Sequence, residues 1–197
     1  MKNPNLFRKA IHAFDDANQQ DPNKETVDGE PVPKELIYGR RMSQQLDEIT
    51  PDASEELKLA VRCQHLERWK IPRNNYPKTR RGYHTWRNDL KKYHAKRAGE
   101  ILDDVGYKAE IIDRVQELVQ KKRIKTDPEA QLMEDVICLV FLNHYFADFS
   151  EKHPDEKIIK ILRKTWEKMS KDGHNWALNL DLSDEVKRYV KSAGLVD

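Results

Sequence analysis

Apolar positions recur along this chain with the 3.6-residue period of a helix, and no segment alternates with the two-residue period of a strand. Leu6, Phe7, Ala10, Ile11, Phe14 and Ala17 share one face of a first helix. Residues 19–33, QQDPNKETVDGEPVP, read as a polar loop. A second helix starts near Pro33, a residue suited to a first helical turn, and carries Leu36, Ile37, Met42, Leu46 and Ile49. TPDASEE opens a third, with Asp52 or Ser54 as cap and Glu55 and Glu56 at the positive end of its dipole; it is expected to run to about Trp69. IPRNNYPK reads as loop. A long helix follows from about Thr79 to Val105, stopped by Gly106, and another over 108–123.

Asp127-Pro128 caps the helix containing LMEDVICLVFLNHYFADF, which is apolar on almost every side and is therefore expected, over 128–149, to be central. Pro154 starts the next helix, expected to end near Gly173, and Ser183 caps a last short one. The pattern predicts an all-α protein with one compact domain over residues 1–197.

Composition narrows the functional classes. Of 197 residues, 36% are charged, yet the signs nearly cancel to +2, so attraction to nucleic acid is not a whole-chain property. Cys63 and Cys138 lie far apart inside apolar helical patterns, which suits buried thiols in a reducing compartment better than a disulfide or zinc site. The N-terminal segment lacks the apolar stretch of a signal peptide, and no run approaches the roughly 18 apolar residues of a membrane span. These features predict a soluble cytoplasmic protein that takes no membrane partner.

Three polar residues stand where apolar ones belong. Asp135 interrupts the stripe of Leu132, Leu139, Leu142 and Phe146. A buried carboxylate needs a partner, whether a cation, a metal or a set of donors. Glu134 lies about 100° round the same helix and is expected to be its exposed or hinge member. His94 interrupts the face of Leu90, Ala98, Ile101 and Val105. Such a residue is either a hydrogen-bonded core histidine or a ligand for metal or phosphate. His65 sits between Val61 and Trp69 at the border of core and a cationic rim, where either a solvated edge or a pocket wall would fall. Inward side chains on facing helices could bring the three together.

The stretch from Arg68 to Arg97 holds eleven lysines and arginines against one acid, Asp89. Trp69, Tyr76, Tyr83, Trp86 and Tyr93 are interleaved with them. Cations beside flat rings suit a nucleotide, a phosphorylated small molecule or RNA. Arg62, Arg68, Arg73, Arg81 and Arg87, whose forks match phosphate oxygens, are the candidate ligand-binding residues, with Trp69 and Trp86 beside them.

PKELIYGRRM, RCQHLERWKIPR, YPKTRRGYHTWR and QLMEDVICLVFL together resemble the family known as domain of unknown function 4202, over nearly the whole chain. More distantly, KYHAKRAGEILDDVGYKAEIIDRVQELVQ followed by DPEAQLMEDVICLVFL resembles the second half of the HD metal-dependent phosphohydrolases. That resemblance implies an HD-like helical bundle. It implies a divalent metal held by His65 and Asp135, with Glu134 and His94 as candidate catalytic groups. The His-Asp signature is not intact, since the matching pair reads Gln64-His65 or His65-Leu66. The upstream metal histidine would fall near Glu35 or Tyr38, neither of which is His. Three functions therefore stay open: a metal-dependent phosphohydrolase acting on a nucleotide or small phosphoester, a non-catalytic nucleotide- or RNA-binding domain of degenerate HD type, and a helical scaffold.

Overall fold

The computed structural model describes residues 3–182 and 184–195. Over these residues the protein is all-α apart from one short hairpin. Its contacts divide it into two compact units, Met1–Lys122 and Arg123–Asp197. Among the described residues no helix is long and apolar enough to cross a membrane.

The first unit begins with α1 (Pro4–Gln19), whose free N–H groups at Asn5 and Leu6 are capped by the Asn3 side chain. The expected loop that follows holds an antiparallel hairpin, β1 (Lys24–Val27) and β2 (Glu30–Pro33). Asp28 and Gly29 turn it with φ 51° and 85°. Positive φ at both central residues is what a tight two-residue hairpin needs, and Asp-Gly supplies it. Helix α2 (Lys34–Ile49) leaves directly from β2.

Helix α3 (Glu55–Cys63) is capped by Ser54, whose hydroxyl accepts from Leu57 N–H. It stops six residues short of the expected end at Trp69. The cause is Glu67, a non-glycine residue in the left-handed region at φ 51°, which turns the chain into a 3-10 turn over Arg68–Lys70. Its carboxylate accepts from Tyr93 Oη at 2.7 Å, Lys70 Nζ at 2.8 Å and Arg97 Nε at 3.2 Å, and these bonds hold the turn.

Helix α4 (Arg80–Val105), capped by Thr79 and ended by Gly106, keeps the expected bounds. Helix α5 (Ala109–Val119) packs against it and against α3. Phe14, Met42, Leu46, Leu57, Leu59, Leu66, Leu90, Leu102 and Leu118 fill the core of this unit. Cys63 lies there fully buried.

The second unit is built on α6 (Pro128–His144), capped by Asp127. Met133, Val136, Cys138, Leu139, Val140 and Leu142 bury most of its circumference, as its apolar composition requires. The expected single helix to residue 149 breaks at Tyr145, and α7 (Phe146–Ser150) follows. The helix expected from Pro154 to Gly173 is also two. Helix α8 (Asp155–Trp166) ends before Ser170, whose hydroxyl accepts from Gly173 N–H and caps α9 (Lys171–Asn179). Helix α10 (Asp184–Ser192) packs on α7 and α8. The expected cap Ser183 lies outside the described residues.

A cationic histidine site in the first unit

Asn18, at the end of α1, organises the approach to the site. Its amide donates to the Glu35 carbonyl at 3.2 Å and accepts from the Glu67 N–H at 2.8 Å. Asp21 accepts from the Glu35 N–H at 3.0 Å. The start of α2 and the turn after α3 are thus tied to one buried amide. Four residues on, α2 and α3 come close. A Cβ at Gly39 would sit 2.8 Å from the Arg62 carbonyl oxygen, so glycine is what lets the two helices meet there.

This approach lays the Tyr38 ring on His65, centroids 4.0 Å apart and 15° from parallel. Tyr38 Oη donates to Gln64 Oε1 at 2.9 Å. His65 Nδ1 lies 3.1 Å from Glu35 Oε2, and Arg68 Nε lies 3.8 Å from the other oxygen of the same carboxyl group. His94, from α4, places its ring 5.9 Å from that of His65 and its Nδ1 2.7 Å from the Leu66 carbonyl. The Arg68 guanidinium lies over Trp86 at 4.8 Å.

Burial sets the charges. It pushes the Glu35 carboxyl from 4.5 up to about 7, against the opposing pull of Arg68, Lys34 and His94. Burial also drives His65 well below its usual value, and Arg68, Arg87, Lys121 and Lys34 push the same way. His94 falls to about 3, first through burial and then through His65, although its bond to Leu66 opposes the fall. Near neutral pH both imidazoles are therefore uncharged and Glu35 is only partly ionised. Arg68 is itself held below its usual value by burial and by Arg87, with Glu35 acting the other way. Arg87 is half-buried and has no hydrogen-bond or ion-pair partner among the described residues. Positive charge exceeds negative at this site.

The other expected ligand residues have mixed fates. Arg62 donates to both oxygens of Asp15, at 2.8 and 2.6 Å, so its fork is taken. Arg73 donates to the carbonyls of Tyr76 and Pro77 and lies 5.9 Å over Trp86, bracing the loop. Trp86 Nε1 donates to the Ile71 carbonyl at 2.9 Å, so this ring is a structural post for the same loop. Trp69 is half-buried and Arg81 is exposed on the first turns of α4.

Asp135 and Glu134 belong to the second unit. Asp135 is 1% exposed, and its partner is a set of donors. Ser170 N–H, Ser170 Oγ and Gln131 Nε2 reach its carboxylate at 2.8, 2.7 and 3.1 Å. A Cβ at Gly173 would fall 2.6 Å from Asp135 Oδ1, so glycine is needed beside it. Glu134, expected as the exposed or hinge member, is instead 6% exposed, with Lys168 Nζ at 3.9 Å.

The divalent metal implied by the HD resemblance finds a poor fit here. Asp135 has its oxygens engaged by Ser170 and Gln131. The carboxyl beside His65 is shared with Arg68. Four cations act on His65, so a further double positive charge would be opposed. Among the described residues no group of three or more His, Cys, Asp or Glu is placed to hold a metal ion.

Glu35 gave only a faint sequence signal, as the residue near a missing histidine. Asn18 and Glu67 gave none, because their roles depend on backbone groups brought together by the turn.

Compared with known proteins, the chain matches the family model described as Domain of unknown function (DUF4202) over residues 8–190. No curated protein and no solved structure matches it.

Proposed function

We propose, for a chain that belongs to the Domain of unknown function (DUF4202) family, that its first unit binds a phosphorylated small molecule at the Glu35, His65, Arg68, Arg87 and His94 site. Arg87 carries the reading. A half-buried guanidinium without a hydrogen-bond or ion-pair partner among the described residues, whose charge adds to burial in lowering Arg68, makes with it a pair of like charges that an anion would reconcile. Arginine forks suit a phosphate group, which takes two donors from each. A small ligand is favoured over RNA because Trp86, the ring best placed to stack a base, is already engaged by Arg68 and Arg73.

A second reading, hydrolysis of the bound phosphoester, is favoured by Glu35. A carboxyl group that titrates at about 7 can both give and accept a proton near neutral pH, and His65 is beside it to exchange one.

Calorimetric titration with a nucleoside monophosphate and with inorganic phosphate tests the binding. The expected result is binding that weakens as salt rises and drops at least about tenfold in Arg87→Ala. No binding by the wild type, or binding indifferent to both Arg87→Ala and Arg68→Ala, would refute it. Phosphate release from the same nucleotide, with and without added divalent metal, tests hydrolysis, and Glu35→Gln should abolish it.

A further inference from the structure

We propose that the ligand of this site presents a hydroxyl group as well as a phosphate, received by Nε2 of His94, so that the site takes a phosphorylated polyol in preference to an alkyl phosphate. The inference rests on the phosphate reading and specifies its substrate class.

It starts from the tautomer of His94. Nδ1 lies 2.7 Å from the Leu66 carbonyl, and a carbonyl oxygen can only accept. The hydrogen is therefore on Nδ1, and Nε2 carries a bare lone pair. The residue is 2% exposed, and Nε2 is buried with no hydrogen-bond partner among the described residues. Buried polar atoms in native proteins almost always have one.

The neighbouring ring does not serve. His65 lies 5.9 Å away, tilted by 39°, and no bond joins the two imidazoles. Its Nδ1 is committed to Glu35. The dianion of a phosphomonoester does not serve either, since its phosphate oxygens carry no hydrogen to give and would repel the lone pair. A hydroxyl does, being neutral, small and able to donate. The two chemistries are thus separate but adjacent: guanidinium groups for the phosphate, a bare imidazole nitrogen for the hydroxyl. Short distances join them: Arg68 Nε lies 3.8 Å from Glu35, the same carboxyl group lies 3.1 Å from His65 Nδ1, and the His65 ring lies 5.9 Å from that of His94. The hydroxyl must therefore lie within a few bonds of phosphorus, as it does in sugar phosphates and phosphorylated glycerol.

Glycerol 3-phosphate and n-propyl phosphate separate the possibilities, since they share chain length and charge and differ in their hydroxyls. Titrated into the full chain, glycerol 3-phosphate is expected to bind at least about tenfold more tightly, the size of one buried hydrogen bond. In His94→Leu the difference should shrink below about twofold, with propyl phosphate little affected. If that variant does not fold, the nitrogen-15 resonance of His94 Nε2 in the wild type provides the readout. It should shift toward the hydrogen-bonded range with glycerol 3-phosphate and stay put with propyl phosphate. Equal affinities, a preference that survives in His94→Leu, or an unmoved resonance would overturn the hydroxyl while leaving the phosphate site standing. Failure of both phosphates to bind would overturn the phosphate reading, and this inference with it.

Discussion

Replacing Glu35 with Gln gives the most quantitative handle on this site. The substitution keeps shape and hydrogen bonding but removes the ionisation. Glu35 titrates at about 7 in the folded protein against 4.5 as its ordinary value. Its folded-state value is the higher one, so the folded state holds the proton more tightly. Stability is then lost as pH rises from 4.5 through 7 and is level above. The full cost above that window is about 3 kcal/mol, because each pH unit separating the two values is worth about 1.4 kcal/mol. Part of it has already been incurred at about pH 5.5, where an unfolded carboxyl is ionised. Between about pH 5.5 and pH 8 the wild type should therefore lose about 2 kcal/mol relative to Glu35→Gln. His65 and His94 titrate the other way, costing stability as pH falls below 6.5, but both are present in both proteins and largely cancel. Urea unfolding of the two proteins at the two pH values measures the difference directly. A difference that stays constant, or that moves in favour of the wild type toward the higher pH, would show that Glu35 is not held protonated by burial and would remove the basis for its role in proton exchange.

Arg87→Ala should weaken phosphate binding yet leave the ligand-free protein equally stable or raise its stability by up to about 1 kcal/mol, because a like charge beside Arg68 is removed; a thermal melt checks this. Glu67→Ala should cost about 2 kcal/mol by stranding Tyr93 and Arg97, with the partly exposed Lys70 adding little. Glu67→Gly should cost less, by up to about 1 kcal/mol, because φ 51° suits glycine; denaturant midpoints of the two variants decide it. Asp135→Asn should cost about 1–3 kcal/mol, since an amide cannot accept from both Ser170 groups and Gln131 as the carboxylate does. Metal analysis of that variant and of the wild type, run alongside the melts, tests the metal that the HD resemblance implies.

Most helices were legible because each buries one face and shows it as a period of 3.6. Local signals marked helix starts: Asp127 as the cap of α6, Ser54 as one of two candidate caps of α3, and Thr79 as the approximate start of α4, which it caps. The hairpin was lost among prolines, although Thr-Val-Asp-Gly-Glu carries the Asp-Gly signal for it. Ser170 is hidden as a helix start because Gly173, whose N–H it accepts, reads as a stop. Glu67 ended α3 early without any glycine or proline to mark the place. In the site, the misplaced polarity of His65, His94 and Asp135 was legible, since each breaks an apolar face. Their partners were not. Glu35 lies 30 residues from His65 and Ser170 lies 35 from Asp135, and no local pattern specifies a contact over such a separation.

Each unit encloses one of the two cysteines, Cys63 in the first and Cys138 in the second. They are 0% and 3% exposed, and burial further suppresses the reactive thiolate of Cys63 by pushing its thiol up. An alkylating reagent therefore reaches either sulfur only when the surrounding structure opens. Labelling rates at the two positions, resolved by mass spectrometry, become two separate clocks within one chain. A ligand that seats against His65 and Arg87 should slow the clock at Cys63, and the rate at Cys138 would show whether that protection travels beyond the first unit.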